Sequence, residues 1–352
     1  MLDQRLYLLR RSLHGDTRWD FEEALKQIEE FLYTELRPDT KGVAIFARGG
    51  EQPFYLPLEF QVPLPTWIAV NSTPNIYHLV ELKDTYHRFV VMISTPASAR
   101  ILEINLGAIT DELWRERPAL RKRVGREWTK EHYQSHQREQ TDKFLKEKIS
   151  VLDDLMRAGG YTYLILAGNT WQTARLRQAL PRRLATKVID TISTAGNEHI
   201  SDVVAATLAL FIEAEEVESQ AIATVLLQEI LSDGLAVVGT MPTLMALQAG
   251  QVDVLVMTKL YTPPSGWCCK RCTGLTAAPT MPLRCANCGA TTFRRVEIRE
   301  EMVRLAEQQG ASVEIVQQSD QLLQIGGIGA LLRYRAPQAP MSEPSPVLAM
   351  AN

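Results

Sequence analysis

The sequence has no long apolar run and no recognisable leader, and both absences narrow the class of protein. None of its apolar runs approaches the ~18 residues that a membrane-spanning helix requires. The N-terminal stretch MLDQRLYLLRRSLHGD has no apolar segment followed by a small-residue cleavage site, so no secretory signal is predicted. A composition that is 45% hydrophobic and 22% charged is typical of a globular protein. We therefore expect a cytoplasmic protein that does not associate with a membrane.

The common catalytic loops are also missing. We find no Walker A loop and no G-x-G-x-x-G, G-x-S-x-G or H-E-x-x-H motif. His132 and His136 are four residues apart and could share one helical face, but no carboxylate is obviously placed to complete a metal site with them. The pair is interpreted as polar surface.

Cysteine is scarce, and its distribution is informative. All five cysteines lie between positions 268 and 288, where Cys269–Cys272 and Cys285–Cys288 form two C-x-x-C pairs with twelve residues between them. Each pair can aim two thiolates at one ion, so the four predict a tetrahedral Zn²⁺ site. Four thiolates leave no open coordination position, and the site is expected to be structural. The alternatives are free buried cysteines, or a C-x-x-x-C spacing in which Cys268 replaces Cys269.

A net charge of −3 argues against non-specific coating of nucleic acid, but one stretch is strongly basic. Between Arg115 and Lys130 there are seven Lys or Arg against two Glu, a local charge of +5, with Trp114, Trp128 and Tyr133 interleaved. Such a stretch can bind phosphates and stack on exposed bases. The alternative is a solvated helix face. The residues expected to contact rRNA or tRNA are Arg121, Lys122, Arg123, Arg126, Trp128 and Lys130.

Apolar periodicity predicts a mixed α/β chain of three small domains, each with a small mixed sheet. A helix is predicted over 20–36, followed by strands at KGVAIFA, FYLPLEF and TWIAVN, and the glycine pair of FARGGEQPF between the first two predicts a hairpin turn. The predicted boundaries are 1–84, 85–214 with a basic arm at 115–140, 215–336 with a zinc knuckle at 267–290, and a disordered tail at 337–352.

The last two blocks resemble a known family. GLAVVGTMPTLMALQAGQVDVLVMT, REEMVRLAEQQGASVEIV and GGIGALLRY are similar to the C-terminal domain of the archaeal and eukaryotic class-I release factors and their relative Pelota. Some members of that family carry a zinc knuckle at the same insert. FVVMISTPASARILEINLG, YLILAGN and KVIDTIST follow the family's central domain in order. The resemblance implies a release-factor/Pelota-like fold with a shortened N-terminal domain and a zinc-ribbon insert in the C-terminal domain.

The sequence departs from the family at its two reactive motifs. Counting back from Phe144 without gaps places Arg126, Glu127 and Trp128 where the release factors have the Gly-Gly-Gln that acts on peptidyl-tRNA. The Gly-Gly-Glu-Gln at 49–52 lies in the wrong domain. The Asn-Ile-Lys-Ser loop that reads stop codons is missing. Neither hydrolysis nor stop-codon reading is therefore expected.

A family shape without either motif resembles the Balon-type bacterial hibernation factors. That resemblance implies a non-enzymatic factor that occupies the A site of the 70S ribosome, contacts rRNA near the peptidyl-transferase centre, and works with a translational GTPase, elongation factor Tu. The alternatives are a rescue factor or peptidyl-tRNA hydrolase with a non-standard loop, a tRNA nuclease, and an adaptor that acts away from the ribosome.

Overall fold

The computed structural model describes residues 2–116, 130–194 and 199–335. The chain divides into two compact units, Met1–Glu218 and Ser219–Asn352. The described residues form two mixed sheets and two purely antiparallel ones, so the prediction of a mixed α/β multidomain protein is confirmed, although the N-terminal block has an antiparallel hairpin and not the mixed sheet expected there. Within the described ranges, no helix combines the length and the apolar character needed to cross a bilayer.

The first unit begins with a helical pair and a β-hairpin. Its elements are α1 (Leu2–Ser12), α2 (Asp16–Thr34), β1 (Gly42–Arg48), β2 (Phe54–Phe60) and α3 (Tyr77–Thr85). The helix predicted over 20–36 is confirmed, and so is the hairpin, in which Gly42 pairs with Phe60 and Arg48 with Phe54. The strand predicted at TWIAVN is wrong, because residues 66–71 join no sheet. Trp67 instead lies under the guanidinium of Arg5, 3.5 Å from the ring centroid.

The hairpin turn rests on α2. The backbone N–H of Gly50 donates to a carboxylate oxygen of Glu23 at 2.9 Å. A Cβ added at Gly49 would lie 2.5 Å from the backbone carbonyl oxygen of Asp20. Glycine is needed here because the turn approaches the α2 backbone closely, and that packing explains the glycine pair without any catalytic role.

Gly49→Ala is therefore expected to lower the free energy of unfolding of the first unit by about 1–3 kcal/mol, because the α2 backbone must shift. Urea unfolding followed by fluorescence measures the change. Gln52→Ala, on an exposed side chain of the same turn, is the control and should be close to neutral. Equal destabilisation by the two variants would contradict the packing of Gly49 on α2.

The rest of the first unit is built on a five-stranded mixed sheet. Its elements are β3 (Phe89–Ser94), β4 (Ser98–Asn105), β5 (Ala108–Glu116), α4 (Lys130–Ala158), β6 (Tyr163–Gly168), α5 (Thr170–Ala179), α6 (Arg182–Ala185), β7 (Val188–Ser193) and α7 (Ile200–Leu231), which continues into the second unit. The strand order is β5-β4-β3-β6-β7. β3, β6 and β7 are parallel, and β4 is antiparallel to both of its neighbours.

Helices cover both faces of this sheet. α4, α5 and α6 pack on one face around Leu152 and Leu164, and the α7 side chains pack on the other. There Phe211 stacks on Phe89 with a centroid separation of 4.5 Å. β3 and β6 are buried along their whole length, which explains their continuous apolar sequences.

The second unit combines a four-stranded sheet with a three-stranded insert. Its elements are β8 (Ala236–Val238), α8 (Thr240–Gln248), β9 (Val252–Thr258), β10 (Gly266–Cys269), β11 (Leu275–Ala277), β12 (Phe293–Val296), α9 (Ile298–Gln308), β13 (Ser312–Val316), α10 (Asp320–Gln324) and β14 (Ile328–Leu332). The main sheet has the order β13-β9-β14-β8, and the insert has the order β11-β10-β12. The insert leaves after β9 and returns before α9, which places all the cysteines in one small sheet and its turns.

Candidate functional site

Four cysteines of the insert converge. The Sγ atoms of Cys269 and Cys288 lie 3.6 Å apart, those of Cys272 and Cys285 lie 3.5 Å apart, and all four lie within 4.8 Å of one another. A tetrahedral ion with Zn–S bonds of about 2.3 Å would separate its sulfurs by roughly 3.8 Å. All the cysteines are free thiols. The geometry therefore fits one tetrahedral ion, and two ligands come from each C-x-x-C pair.

The two pairs are presented by the same backbone turn. In each, the first cysteine donates its N–H to the carbonyl five residues later and accepts from the N–H four residues later. The partners are Gly274 and Thr273 for Cys269, and Ala290 and Gly289 for Cys285. In the first turn, the N–H of Arg271 also donates to the sulfur of Cys269 at 3.4 Å. Local hydrogen bonds thus aim each pair of sulfurs before any ion binds.

Cys269, Cys272 and Cys285 have pKa values that are shifted from the ordinary thiol value in different directions. The backbone amide of Cys272 lowers the pKa of Cys269 to about 6, and a backbone amide likewise lowers the pKa of Cys285. The pKa of Cys272 rises to about 12 even though the amide of Gly274 lowers it, because the neighbouring sulfurs of Cys288 and Cys285 oppose its ionisation. A bound cation removes that opposition and favours all four thiolates. This all-sulfur donor set suits Zn²⁺.

Cys268 is not part of this group. It precedes Cys269 on β10, so its side chain points to the other face of the strand, where its sulfur lies 3.6 Å from the carbonyl oxygen of Thr273. Among the described residues, the four mutually close sulfurs include Cys269 and leave out Cys268. The spacing that would let Cys268 replace Cys269 is therefore not the one the structure adopts.

The basic arm begins in a strand of the central sheet and continues into a helix that packs on that sheet. Arg115 and Glu116 end β5, a strand that the sequence pattern did not predict, and Lys130 begins α4. Arg121, Lys122, Arg123, Arg126 and Trp128 lie outside the described residues, as does the side chain of Lys130. β5 runs in the same direction as β3, and its last residue, Glu116, pairs with Ser98 just beyond the end of β3. β5 therefore leads into the arm at the end of the sheet where the parallel strands have their C-termini.

Two contacts near that end of the sheet were not predicted from the sequence. The guanidinium of Arg100 on β4 lies 3.9 Å from the ring centroid of Trp114 on β5, which is 40% exposed. Lys148 of α4 is buried; its Nζ donates to Ser94 Oγ at 3.1 Å and to the carbonyl of Thr95 at 2.7 Å. This second contact ties α4 to the end of β3. Both contacts fix elements that lead into the arm.

Two known families match separate parts of the chain. Residues 74–211 match the family described as bacterial archaeo-eukaryotic release factor family 10, and residues 216–336 match domain 3 of eRF1. Both matches are to release-factor families, so the central and C-terminal blocks are those of a bacterial archaeo-eukaryotic release-factor-like protein. The resemblance inferred from the sequence is thereby confirmed for the central and C-terminal blocks.

Individual release-factor and Pelota proteins are distant from this chain. Peptide chain release factor subunit 1 of Pyrococcus abyssi is 23% identical over 291 residues, which cover 75% of this chain and 69% of that protein. The Pelota of Archaeoglobus fulgidus is 14% identical, with 84% and 83% of the two chains covered and a TM-score of 0.39. A model of ribosome-bound archaeal Pelota and ABCE1 gives 15% identity, coverage of 84% and 78%, and a TM-score of 0.46.

Proposed function

We propose that this release-factor-like chain is a ribosome-binding translation factor that occupies the A site and reaches the peptidyl-transferase centre without hydrolysing peptidyl-tRNA. One observation carries the proposal. The central block matches a release-factor family, yet residues 115–130, which lead from the end of β5 to the start of α4, hold a net charge of +5 and no Gly-Gly-Gln. A basic segment retains RNA affinity, whereas the loss of the tripeptide removes the group that acts on the ester.

The arm supplies the RNA contacts in this proposal. Arg121, Lys122 and Arg123 neutralise backbone phosphates and release counterions, so ribosome binding should weaken steeply as salt rises. Trp128 presents a flat ring that can stack on an unpaired base. Arg126 and Lys130 extend the basic stretch on either side of Trp128.

The C-terminal block has a different role in the proposal. We place it against a translational GTPase, with elongation factor Tu as the first candidate. Zn²⁺ held by Cys269, Cys272, Cys285 and Cys288 would cross-link the insert, because a closed four-thiolate site leaves no position for a substrate. We assign the factor to hibernation or stress, since an A-site ligand that performs no hydrolysis blocks elongation without ending it.

A rescue factor with a non-standard hydrolytic loop is the second candidate. It is favoured by the similarity to a protein named peptide chain release factor subunit 1. In that case Glu127 or a nearby glutamine would have to replace the missing side chain. The group would also need to approach the ester carbonyl past the bulky ring of Trp128.

A peptide-release assay separates the two candidates. Ribosomes loaded with a labelled peptidyl-tRNA are incubated with the full chain, and free peptide is counted. We expect no release above the buffer control while the protein remains bound. Release that disappears in a Glu127→Gln variant, with binding unchanged, would favour the rescue factor and contradict the occluding function.

A further inference from the structure

A second basic surface lies on the described part of the central domain. Residues 170–188, TWQTARLRQALPRRLATKV, contain five Arg or Lys and no Asp or Glu, in a protein whose net charge is −3. The segment forms α5 and α6 and reaches the start of β7. None of these residues belongs to the basic arm at 115–140.

The apolar residues of this segment turn its charges outward. Leu176, Leu180 and Leu184 are buried in the core beneath the sheet face. That anchoring leaves the intervening residues on the surface, and Arg177, Arg182 and Arg183 are exposed. The positive charges are therefore displayed on a rigid, packed element.

Acidic neighbours neutralise only part of this charge. Arg175 pairs with Asp142 of α4, and Arg183 pairs with Asp153, which also binds Arg157. Arg177 and Arg182 have no acidic partner within the part of the chain that the structure describes. These two guanidinium groups are available to an external anion.

An exposed tryptophan adjoins the arginines. Trp171 is 64% exposed, and the guanidinium of Arg175 lies 5.4 Å from its ring centroid. Its backbone N–H donates to Asn169 Oδ1 at 2.9 Å. This hydrogen bond caps the N-terminus of α5 and fixes the backbone from which the indole projects. A flat aromatic ring beside a cation is suited to stacking on a nucleobase.

Trp171 lies at the same end of the sheet as the C-terminus of β5, which leads into the basic arm. Ser94 at the end of β3 pairs with Gly168 at the end of β6, and Trp171 follows three residues later. β5, which leads into the arm, is three strands away in the same sheet, or about 14 Å at the usual strand spacing. One RNA helix is wide enough to touch both places.

We propose that Trp171, Arg175, Arg177, Arg182 and Arg183, which we call the α5–α6 face, form a second RNA-binding surface. The choice of RNA as the partner rests on the proposed function. An acidic protein is the less suitable ligand, because Trp171 is the one large exposed hydrophobic side chain of this described segment. Protein interfaces are usually built around a larger apolar centre.

Two arginine substitutions test the phosphate contacts. Arg177→Gln with Arg182→Gln in the full chain is titrated against a labelled RNA duplex of about 20 base pairs at several KCl concentrations. Loss of two phosphate contacts should make the negative slope of log affinity against log salt shallower by about 1 to 2, and should weaken binding about tenfold near 0.1 M salt.

The matched control removes two positive charges elsewhere. Arg18→Gln with Lys26→Gln changes two exposed residues of α2 and should leave both the slope and the affinity close to the parent values. If the parent does not bind the duplex, or if the two double variants bind alike, the α5–α6 face is not an RNA surface.

Trp171→Ala tests base stacking separately. It should weaken binding to a single-stranded RNA of the same length about tenfold and leave duplex binding nearly unchanged. The assignment would be overturned in favour of an acidic protein partner by two results together. Trp171→Ala would leave the affinity for single-stranded RNA unchanged, and polyglutamate would compete with labelled RNA for the parent chain as strongly as unlabelled RNA does.

Ribosome sedimentation distinguishes failure of this inference from failure of the proposed function. A parent chain that does not sediment with ribosomes contradicts the function. A parent that sediments, with an Arg177→Gln/Arg182→Gln variant that matches it in both sedimentation and duplex binding, contradicts the α5–α6 face alone.

Discussion

Cys272→Ser together with Cys285→Ser is expected to abolish metal binding and to lower the free energy of unfolding of the second unit by at least about 3 kcal/mol. Each substitution removes one ligand from a different C-x-x-C pair, so neither turn retains two thiolates. The three short strands of the insert bury little apolar surface, and a bound ion would be their main cross-link. Trp267 on β10 is the one tryptophan of residues 219–352, which makes its fluorescence a reporter of this unit during urea unfolding.

Metal content and a neighbouring cysteine provide the control. Intact-mass measurement under native conditions should find one Zn²⁺ per parent chain and none in the double variant. Cys268→Ser alters a buried thiol that lies outside the four-sulfur group, and it should keep the metal. Unchanged Trp267 unfolding after treatment with a chelator would contradict a structural ion.

Changing Arg121, Lys122 and Arg123 to Glu should reduce ribosome association at least a hundredfold. The change reverses three of the seven positive charges between Arg115 and Lys130, so attraction to backbone phosphates becomes repulsion. The fraction of protein that sediments with ribosomes at increasing salt is the measurement. The parent should dissociate steeply with salt, and the variant should stay in the supernatant throughout.

Charge reversal elsewhere controls for the change in net charge. Arg11, Arg18 and Lys26 are exposed on α1 and α2, and their replacement by Glu produces the same net charge. This control should sediment like the parent if the arm carries the RNA contacts. Equal loss in both triple variants would mean that the overall charge, and not the arm, governs association.

Local sequence patterns predicted most of the fold. The α2 helix and the β1–β2 hairpin were evident from apolar spacing and from a glycine pair. The parallel strands β3 and β6 were evident because buried parallel strands are continuously apolar. The four-cysteine cluster was equally predictable, because a C-x-x-C pair requires only a short turn to bring two sulfurs together.

The errors arose where tertiary context overrides local pattern. β5 reads AITDELWRE, and its charges concealed a strand that needs only one apolar face because it lies at the edge of the sheet. TWIAVN has strand-like residues, yet Trp67 is held by Arg5 from a helix far away in sequence. No local signal could have shown that contact.

The candidate RNA surfaces were predictable only in part. Charge density alone indicated the arm. Residues 170–188, which include the α5–α6 face, carry the same net charge of +5 in a similar length. Their arginines alternate with leucines, however, and that pattern is typical of an ordinary amphipathic helix. Only the burial of Leu176 and Leu180 and the exposure of Trp171 show which side carries the cations.

The central claim is that the protein occupies the ribosomal A site without hydrolysing peptidyl-tRNA. The most direct test is to sediment the full chain with 70S ribosomes, with and without elongation factor Tu, and then to assay peptide release on the bound fraction. We predict salt-sensitive binding, tighter with the GTPase, and no peptide release. Absence of binding under low-salt conditions, or binding accompanied by release, would contradict a factor that occupies the A site without hydrolysis.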